Sequence, residues 1–290
     1  MRDVHSVRAS LLRTLESNLA DPSSICSEWS LSHVRVSSFY SPFVLSSVGI
    51  VLSTLANTLV SPFLMRIRHC LTSTPNRRGI FDFYGSDEYP PDVDTTALAN
   101  IFLTLQNSVE LPLGDVRAQI LAIQHTTTGA IRTWFDPTRK TVDWFACLNA
   151  YVFLATFGHP VPELRDYLTS SFPSFVQHGS RYYADVSFPL YMISVYHELG
   201  ILPPRFPSAH TAMLPLADHT KSRIFSLALR FHGEPAPPVA GEALLRRLWH
   251  DAPHKEACLF NSSQTYYTSR AIEAAIALRL LEGMEDKYYG

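Results

Sequence analysis

Three glycines, Gly79, Gly129 and Gly179, recur in this chain at equal intervals of 50 residues. Each is followed by aromatic residues and then by an acidic residue that opens an apolar stretch. The three stretches read DVDTTALANIFLTLQ, DWFACLNAYVFLATFG and DVSFPLYMISVYHELG. A fixed period of this length is the sequence signature of a repeat architecture, in which each repeat forms one structural unit. The fold must therefore be built from repeated units of similar size.

The repeats predict two layers of helices. Helices formed from the apolar stretches have no polar face and must be buried, whereas the segments between them, such as VPELRDYLTSSF and GEALLRRLWHD, are amphipathic. The alternation predicts an all-α fold, an α/α toroid in which the ends of the inner helices line a central cavity. The inner helices are expected to begin at one end of a closed ring, near Asp92, Asp143, Asp185 and Tyr266. An open α-solenoid is the alternative, although solenoid repeats usually span about 34 to 47 residues. No stretch alternates with period two for long enough to require a sheet.

Size and composition fit one globular domain. A single domain over residues 1–290, with an N-terminal helix over residues 1–20 packed on it, can bury about three-quarters of its unfolded surface. The net charge of −2 and the lack of clustered basic residues argue against nucleic-acid binding. The four cysteines are scattered without a metal-binding spacing, and no signal peptide is recognisable. A cytoplasmic protein with reduced thiols is expected.

The longest uncharged segment covers residues 36–65. Its length satisfies the window for a transmembrane helix. Hydroxyl side chains and an asparagine recur through it, however, and such groups suit a buried inner helix better than lipid. We therefore predict an inner helix here and no transmembrane segment.

The candidate chemistry lies in the string Asp92-Val93-Asp94-Thr95-Thr96. Aspartate at a helix start commonly caps free N–H groups, and this explains Asp92 as well as its counterparts in the other repeats. Capping does not explain why only this repeat carries a second aspartate two residues later.

The motif and the repeats resemble the β domain of class II terpene cyclases, which carries an Asp-x-Asp-Asp motif and the terpenoid cyclase/prenyltransferase-like α6/α6 barrel. The DxDTT variant is most similar to the cyclase domain of the haloacid-dehalogenase-like drimane-type sesquiterpene synthases. The stretches VDWFACLNAYVFL and RYYADVSFPLYMISVYHELG also match, and the resemblance covers residues 38–283. Two departures are the threonine at position 95 and the lack of a recognisable phosphatase nucleophile segment. A haloacid-dehalogenase-like phosphatase would then be a separate or fused partner.

The resemblance implies a protonation-initiated cyclisation of a linear isoprenyl diphosphate, with farnesyl diphosphate giving a drimane-type bicyclic diphosphate. Asp94 is then the proton donor, because burial and repulsion from Asp92 raise its pKa from the ordinary value of about 3.9. Asp92 is expected to orient it, and Thr95 and Thr96 to hold the carboxyl group by hydrogen bonds.

The remaining candidates surround the substrate. Aromatic faces stabilise carbocations, and the candidates are Trp134, Phe135, Trp144, Tyr182, Tyr183, Tyr266 and Tyr267. Arginines at equivalent places in three repeats, Arg35, Arg132 and Arg181, suit a diphosphate, as do Arg77 and Arg78. Mg²⁺ bridging the diphosphate is expected by analogy, with Asp87 and Glu88 as candidate ligands. His125, His197 and Asn149 are candidates for ending the reaction, although a structural role in the core explains each of them better.

Two other functions are compatible with the sequence. One is a non-catalytic toroid that binds a protein partner, in which Asp94 is a helix cap. The other is a cyclase of a non-phosphorylated polyene, which needs no arginines. A protein prenyltransferase is disfavoured because no Asp-x-Cys pair for its zinc occurs.

Overall fold

The computed structural model describes residues 2–30, 35–55, 58–73, 79–86, 89–107, 112–202, 206, 258–261 and 265–288. Nine α-helices lie in these ranges: α1 (Arg2–Ala20), α2 (Pro42–Leu52), α3 (Ser61–Ser73), α4 (Val93–Leu105), α5 (Leu113–Ala122), α6 (Trp144–Thr156), α7 (Pro162–His178), α8 (Ser187–Glu198) and α9 (Arg270–Tyr288). Four short strands accompany them: β1 (Cys26–Ser30), β2 (Arg35–Phe39), β3 (Cys258–Asn261) and β4 (Thr265–Thr268).

The inner layer consists of α2, α4, α6, α8 and α9. Every residue of α2 is buried, and so are the first eleven residues of both α4 and α6. Side chains at the preceding positions, Ser41, Asp92 and Asp143, accept hydrogen bonds from free N–H groups in the first turn. The apolar stretches are therefore inner helices, as their lack of a polar face predicts.

The repeated glycines make the turns that lead to these helices. Gly79, Gly129 and Gly179 have φ values of 83°, 71° and 69°, in the left-handed region that side chains disfavour. A Cβ atom at Gly179 would lie 2.5 Å from the carbonyl oxygen of Tyr183. The 50-residue period thus marks a backbone turn that each repeat needs.

The outer layer contains α1, α3, α5 and α7, which bury one face each. In α7 this face carries Leu164, Leu168, Phe172 and Phe175, spaced by three or four residues, and the helix packs against α6. The N-terminal helix α1 packs against α9 and α3.

The ring closes where the two ends of the chain meet. Helix α9 contacts α2, and α2, α4 and α6 contact one another in order. The strands form one antiparallel sheet in the order β2-β1-β4-β3, so that β1 near the N-terminus pairs with β4 near the C-terminus. The fold is an α/α toroid, and the prediction of that fold is confirmed.

The sheet corrects one expectation. Tyr266 lies in β4, and the inner helix begins four residues later, at Arg270. The strands are only four or five residues long, and β1, one of the two pairing partners of β4, lies more than 230 residues away in the chain. Neither local alternation nor local turn signals reveal such a sheet, so predicting a helix start at Tyr266 was wrong.

The uncharged segment folds as β2, α2 and the start of α3. The hydroxyl groups of Ser46 and Ser47 donate to the carbonyl oxygens of Pro42 and Phe43, at 2.6 and 2.8 Å. Buried hydroxyls are thus satisfied inside α2 itself. No helix in the described ranges has the length and apolar character needed to cross a bilayer.

Candidate functional site

Four inner helices place a distinctive side chain at their second residue. This residue is Phe43 in α2, Phe145 in α6 and Phe188 in α8, but it is Asp94 in α4. The ring centroids of Phe43 and Phe188 are 6.0 Å apart, and those of Phe145 and Phe188 are 5.7 Å apart. The three rings therefore meet inside the toroid, at the N-terminal end of the inner helices. We call them the phenylalanine floor.

Asp94 lies beside this floor and is held from two sides. The amide of Asn149 donates to Oδ1 of Asp94, and the hydroxyl of Tyr183 donates to Oδ2. Asn149 is fixed in turn by the Tyr196 hydroxyl, which donates to its amide oxygen at 2.5 Å. The ring of Tyr183 contacts the floor at Phe145, with centroids 4.8 Å apart. The carboxyl group on α4 is thus held by Asn149 of α6, which Tyr196 of α8 supports, and by Tyr183 before α8.

The surroundings of Asp94 favour its protonated form. Only 6% of the residue is exposed. Burial, followed by the charge of Asp92, raises the pKa of Asp94 well above its usual range. The hydrogen bonds from Tyr183 and Asn149 act in the opposite direction, because they stabilise the carboxylate. The surroundings therefore favour the neutral carboxyl group, and fixed donors are in place to stabilise its conjugate base.

Asp92 acts on Asp94 through charge and not through contact. Its Oδ1 accepts from the backbone N–H of Thr95 at 2.7 Å, which makes it the N-cap of α4. Its Oδ2 is buried without a hydrogen-bond partner among the described residues. Burial raises the pKa of Asp92 to about 7. No hydrogen bond joins Asp92 to Asp94, so any orienting effect must pass through the helix start.

The expected hydrogen bonds from Thr95 and Thr96 to the Asp94 carboxyl group are not formed. The Thr96 hydroxyl instead binds the backbone of Phe81, accepting from its N–H at 3.0 Å and donating to its carbonyl at 3.1 Å. Cys147, 51 residues later, pairs in the same way with the backbone of Ile131. Thr96 therefore has a repeat counterpart that fastens the preceding turn to the inner helix.

The predicted aromatic residues lie in several different parts of the structure. Tyr183 touches the acid, whereas the Trp134 indole donates to the hydroxyl of Tyr182 at 3.2 Å beside the start of α4. Trp144 lies between two helix layers, stacked on Phe175 of α7 at 4.2 Å. Phe135 is half-buried against the core. The predicted aromatic residues thus contact the acid, form the Trp134–Tyr182 pair, pack against the core, or lie in the sheet.

The sheet carries the remaining predicted tyrosines. Tyr267 lies in β4, with its ring 5.5 Å from that of Phe83. Tyr266 precedes it in the same strand.

The predicted arginines do not converge on one point. Arg35 donates to the hydroxyl of Ser38, and Arg132 donates to the carbonyl of Ile123 at 3.4 Å. Arg181 lies over the ring of Tyr182, 5.8 Å from its centroid. Arg139, which the sequence analysis overlooked, lies over Trp134 at 4.8 Å. Arg139 and Arg181 therefore flank the Trp134–Tyr182 pair. Arg77, Arg78, Asp87 and Glu88 lie outside the described residues.

The other polar candidates have different surroundings. His125 is exposed in a turn, and Asn149 is committed to Asp94 and Tyr196. His197 is half-buried, which lowers its pKa. Within the described ranges, no three His, Cys, Asp or Glu side chains are grouped as metal ligands. The described ranges therefore contain no metal site built from three or more such side chains.

Sequence reasoning missed the phenylalanine floor, although a signal was present. Phe43, Asp94 and Phe145 are spaced by 51 residues each, one residue more than the glycine period. Aligning the repeats on their helix starts would have placed the acid and the rings at one structural position.

The raised pKa of Asp92 predicts a pH-dependent stability. A carboxyl group with a folded-state pKa of about 7 and an ordinary value of 3.8 stabilises the fold at low pH. This stability is lost as pH rises through the folded-state value, by up to about 1.4 kcal/mol per pH unit. Asp92→Asn should therefore flatten the decline in the free energy of unfolding between pH 4 and 7, measured by urea denaturation. An unchanged slope would contradict a protonated, buried Asp92.

Comparisons with known proteins agree with this architecture. Residues 71–157 match the family model described as the sesquiterpene cyclase astC-like C-terminal domain. This range contains Asp92, Asp94 and Asn149. No curated protein matches the chain.

Several of the solved structures that resemble this fold are terpene cyclases. The type II terpene cyclase MstE from Scytonema superimposes with a TM-score of 0.62 at 13% identity, over 98% of this chain and 99% of that one. An MstE variant in complex with its substrate, geranylgeranyl dihydroxybenzoate, gives 0.60 at 13% identity over 98% of both chains. The ent-copalyl diphosphate synthase from Streptomyces platensis gives 0.52 at 16% identity, over 86% of this chain and 52% of that one. The chain thus has the α/α toroid fold found in these cyclases.

Proposed function

We propose that this protein is a class II terpene cyclase, which starts cyclisation by protonating a carbon–carbon double bond of a linear isoprenoid. The observation that carries the proposal is Asp94, a carboxyl group buried beside aromatic rings, whose surroundings raise its pKa. The family model for a sesquiterpene cyclase domain and the toroid fold support it.

The chemistry explains why the site needs this arrangement. An alkene is a very weak base, so its acid must be protonated at working pH and poorly solvated by water. Asp94 meets both requirements through its burial and the charge of Asp92. When the proton moves to the terminal alkene carbon, the π electrons form the new C–H bond and a tertiary cation remains. Asn149 and Tyr183 then stabilise the carboxylate that is left behind.

The phenylalanine floor suits the steps that follow. Phe43, Phe145 and Phe188 are each at most 1% exposed. A carbocation beside these rings would contact aromatic carbon and not water. A desolvated cation–π contact contributes about 2 kcal/mol. Successive ring closures can therefore proceed without early capture by water.

Charge limits where a phosphorylated substrate can place its head group. Asp92, Asp94 and Asp143 are buried close together, and the charges of Asp92 and Asp143 raise the pKa of Asp94. These buried carboxyl groups repel a diphosphate from the interior beside Asp94, so we place its head group on the exposed side of the Trp134–Tyr182 pair, where Arg139 and Arg181 lie. We propose farnesyl diphosphate as substrate, drimane-type bicyclic diphosphate as product, and Arg139 and Arg181 at the rim as contacts for the diphosphate. A phosphatase, separate or fused, would then release the alcohol.

A non-phosphorylated polyene is the second candidate substrate. It is favoured by the positions of Arg35 and Arg132, whose guanidinium groups bind neighbouring protein atoms and do not converge with Arg181. Mg²⁺ would be required only with a diphosphate, and its candidate ligands Asp87 and Glu88 lie outside the described residues.

A partner-binding module is disfavoured by the division of roles between the two aspartates. A module requires Asp94 only as a helix cap. Asp92 fills the cap, however, and both Asp94 oxygens bind side chains from other helices. A carboxyl group buried in this way has a cost that capping does not offset.

Incubation with candidate substrates tests the proposal. Farnesyl and geranylgeranyl diphosphates and their free alcohols are supplied separately, and the products are analysed by mass spectrometry after phosphatase treatment. We expect a bicyclic product from farnesyl diphosphate, and less of it from Arg181→Ala. Cyclisation of the free alcohols alone would favour the polyene alternative. No cyclic product from any isoprenoid would contradict the proposed function.

A further inference from the structure

A second cluster of acidic and phenolic groups lies on the sheet, apart from Asp94. Glu28 of β1 is paired in register with Ser37 of β2 on one side and with Tyr267 of β4 on the other. The Ser37 hydroxyl donates to Oε2 of Glu28 at 2.9 Å, and the Tyr267 hydroxyl donates to Oε1 at 3.3 Å. One row across three strands therefore holds a carboxylate with two donors.

This row faces the interior of the toroid at one end and solvent at the other. Tyr267 is 6% exposed, and its ring contacts Phe83 at 5.5 Å and Phe39 at 6.1 Å. Glu28 is only half-buried. Tyr267 thus separates the aromatic interior from a carboxylate that can exchange protons with water.

Aromatic rings connect this row to the acid without interruption. Phe83 contacts Phe43 of the floor, with centroids 5.6 Å apart, and the floor continues through Phe188 and Phe145 to Tyr183. The acid on α4 is held by Asn149 of α6 and by Tyr183 before α8, whereas Tyr267 precedes α9, which contacts α2. A continuous row of contacting aromatic rings therefore connects the two polar clusters.

We propose that Tyr267 and Glu28 form the base that ends the cyclisation. This inference rests on the proposed function, because each ring closure moves the positive charge along the chain, away from the alkene carbon that Asp94 protonated. In the final step a C–H bond beside the cationic carbon breaks, and its electron pair becomes the new C=C bond. The proton goes to the phenol oxygen of Tyr267, whose own proton moves to Oε1 of Glu28. The cation and the carboxylate thus become a neutral alkene and a neutral carboxylic acid.

The other candidates for this role fit less well. Both polar groups of the Asn149 side chain are used by Asp94 and Tyr196, and His125 is exposed in a turn. Asp94 has just become a carboxylate, but it lies at the starting end of the substrate. Glu28 differs from these groups because its hydrogen-bonded phenol, Tyr267, lies against Phe83 and Phe39.

The test separates proton removal from proton donation. Tyr267→Phe keeps the ring but removes the phenol, and Glu28→Gln keeps the shape but cannot take up a proton. Both variants should lose the main alkene of the wild type by about tenfold relative to isomeric alkenes and water-captured alcohols.

Tyr40→Phe is the matched control. It removes a phenol in the same region, one that donates to the carbonyl of Cys70 at 3.4 Å, and it should keep the wild-type product ratio. Thermal unfolding of all variants shows whether each is folded. Wild-type product ratios in both Tyr267→Phe and Glu28→Gln would overturn the inference while leaving the proposed cyclase intact. Absence of cyclic product from the wild-type protein would instead remove the proposed function and this inference together.

Discussion

Asp94→Asn is expected to abolish cyclisation, with product formation reduced by about a thousandfold or more. General acid catalysis alone contributes about 10² to 10⁴ in rate, and asparagine has no proton acidic enough for an alkene. Asparagine fits the site, since its oxygen can accept from Asn149 and its amide can donate to the Tyr183 hydroxyl, which can reverse its role. The fold and substrate binding should therefore survive, and they are checked by thermal unfolding and by binding of a saturated substrate analogue.

The matched control for this variant is Asp92→Asn. Asparagine is as good an N-cap as aspartate, so α4 should start normally. Only the charge that helps to keep Asp94 protonated is lost, and we expect a milder decrease of about tenfold. Product per enzyme close to wild type in the Asp94→Asn protein would show that the proton comes from another group.

Removing either donor to Asp94 should give the second largest effect. A hydrogen bond to a charged group contributes about 1.5 to 3 kcal/mol, so loss of the Tyr183 hydroxyl should slow turnover by about 10- to 150-fold. The same bond lowers the pKa of Asp94, and Tyr183→Phe should therefore move the alkaline limb of the pH–rate profile to higher pH. A role in packing alone would slow the enzyme without moving that limb.

Asn149→Ala tests the other donor and has an additional cost. It leaves Oδ1 of Asp94 and the Tyr196 hydroxyl without their partners, so stability should fall by about 1–3 kcal/mol for each buried group. Tyr167→Phe, on the outer helix α7, serves as the control for loss of a phenol away from the acid. If Tyr183→Phe and Asn149→Ala turn over as fast as this control, Tyr183 and Asn149 do not support Asp94 in catalysis.

The sequence predicted those parts of the fold that depend on local pattern. The glycine period and the apolar stretches fixed the inner helices that follow Asp92 and Asp143, because capping and burial are encoded within a few residues. The same local logic placed α2 inside the ring in spite of its length without charges. Asp94 was singled out because no repeat other than its own doubles the aspartate.

The rest depends on contacts between distant parts of the chain. The partners of Asp94 are 55 and 89 residues away, and nothing in the local pattern distinguishes Tyr183 from Tyr182. Thr96 looked like a neighbour of the acid in sequence, but two steps along a helix turn a side chain by about 200° and point it to Phe81. Glu28 was overlooked because its chemistry depends on strand pairing with a tyrosine 239 residues later.

The pairing of β1 with β4 also determines the order in which the molecule can assemble. Holding two points 239 residues apart costs about 5 kcal/mol of chain entropy before any contact between them is rewarded. Contacts of such high sequence separation form slowly. The acid and its partners on α4, α6 and α8 span a much shorter segment and can come together first. We therefore expect the pairing of β1 with β4 to form last during folding and to open first. A partly opened molecule would then keep the site around Asp94 but lose the sheet that contains Tyr267.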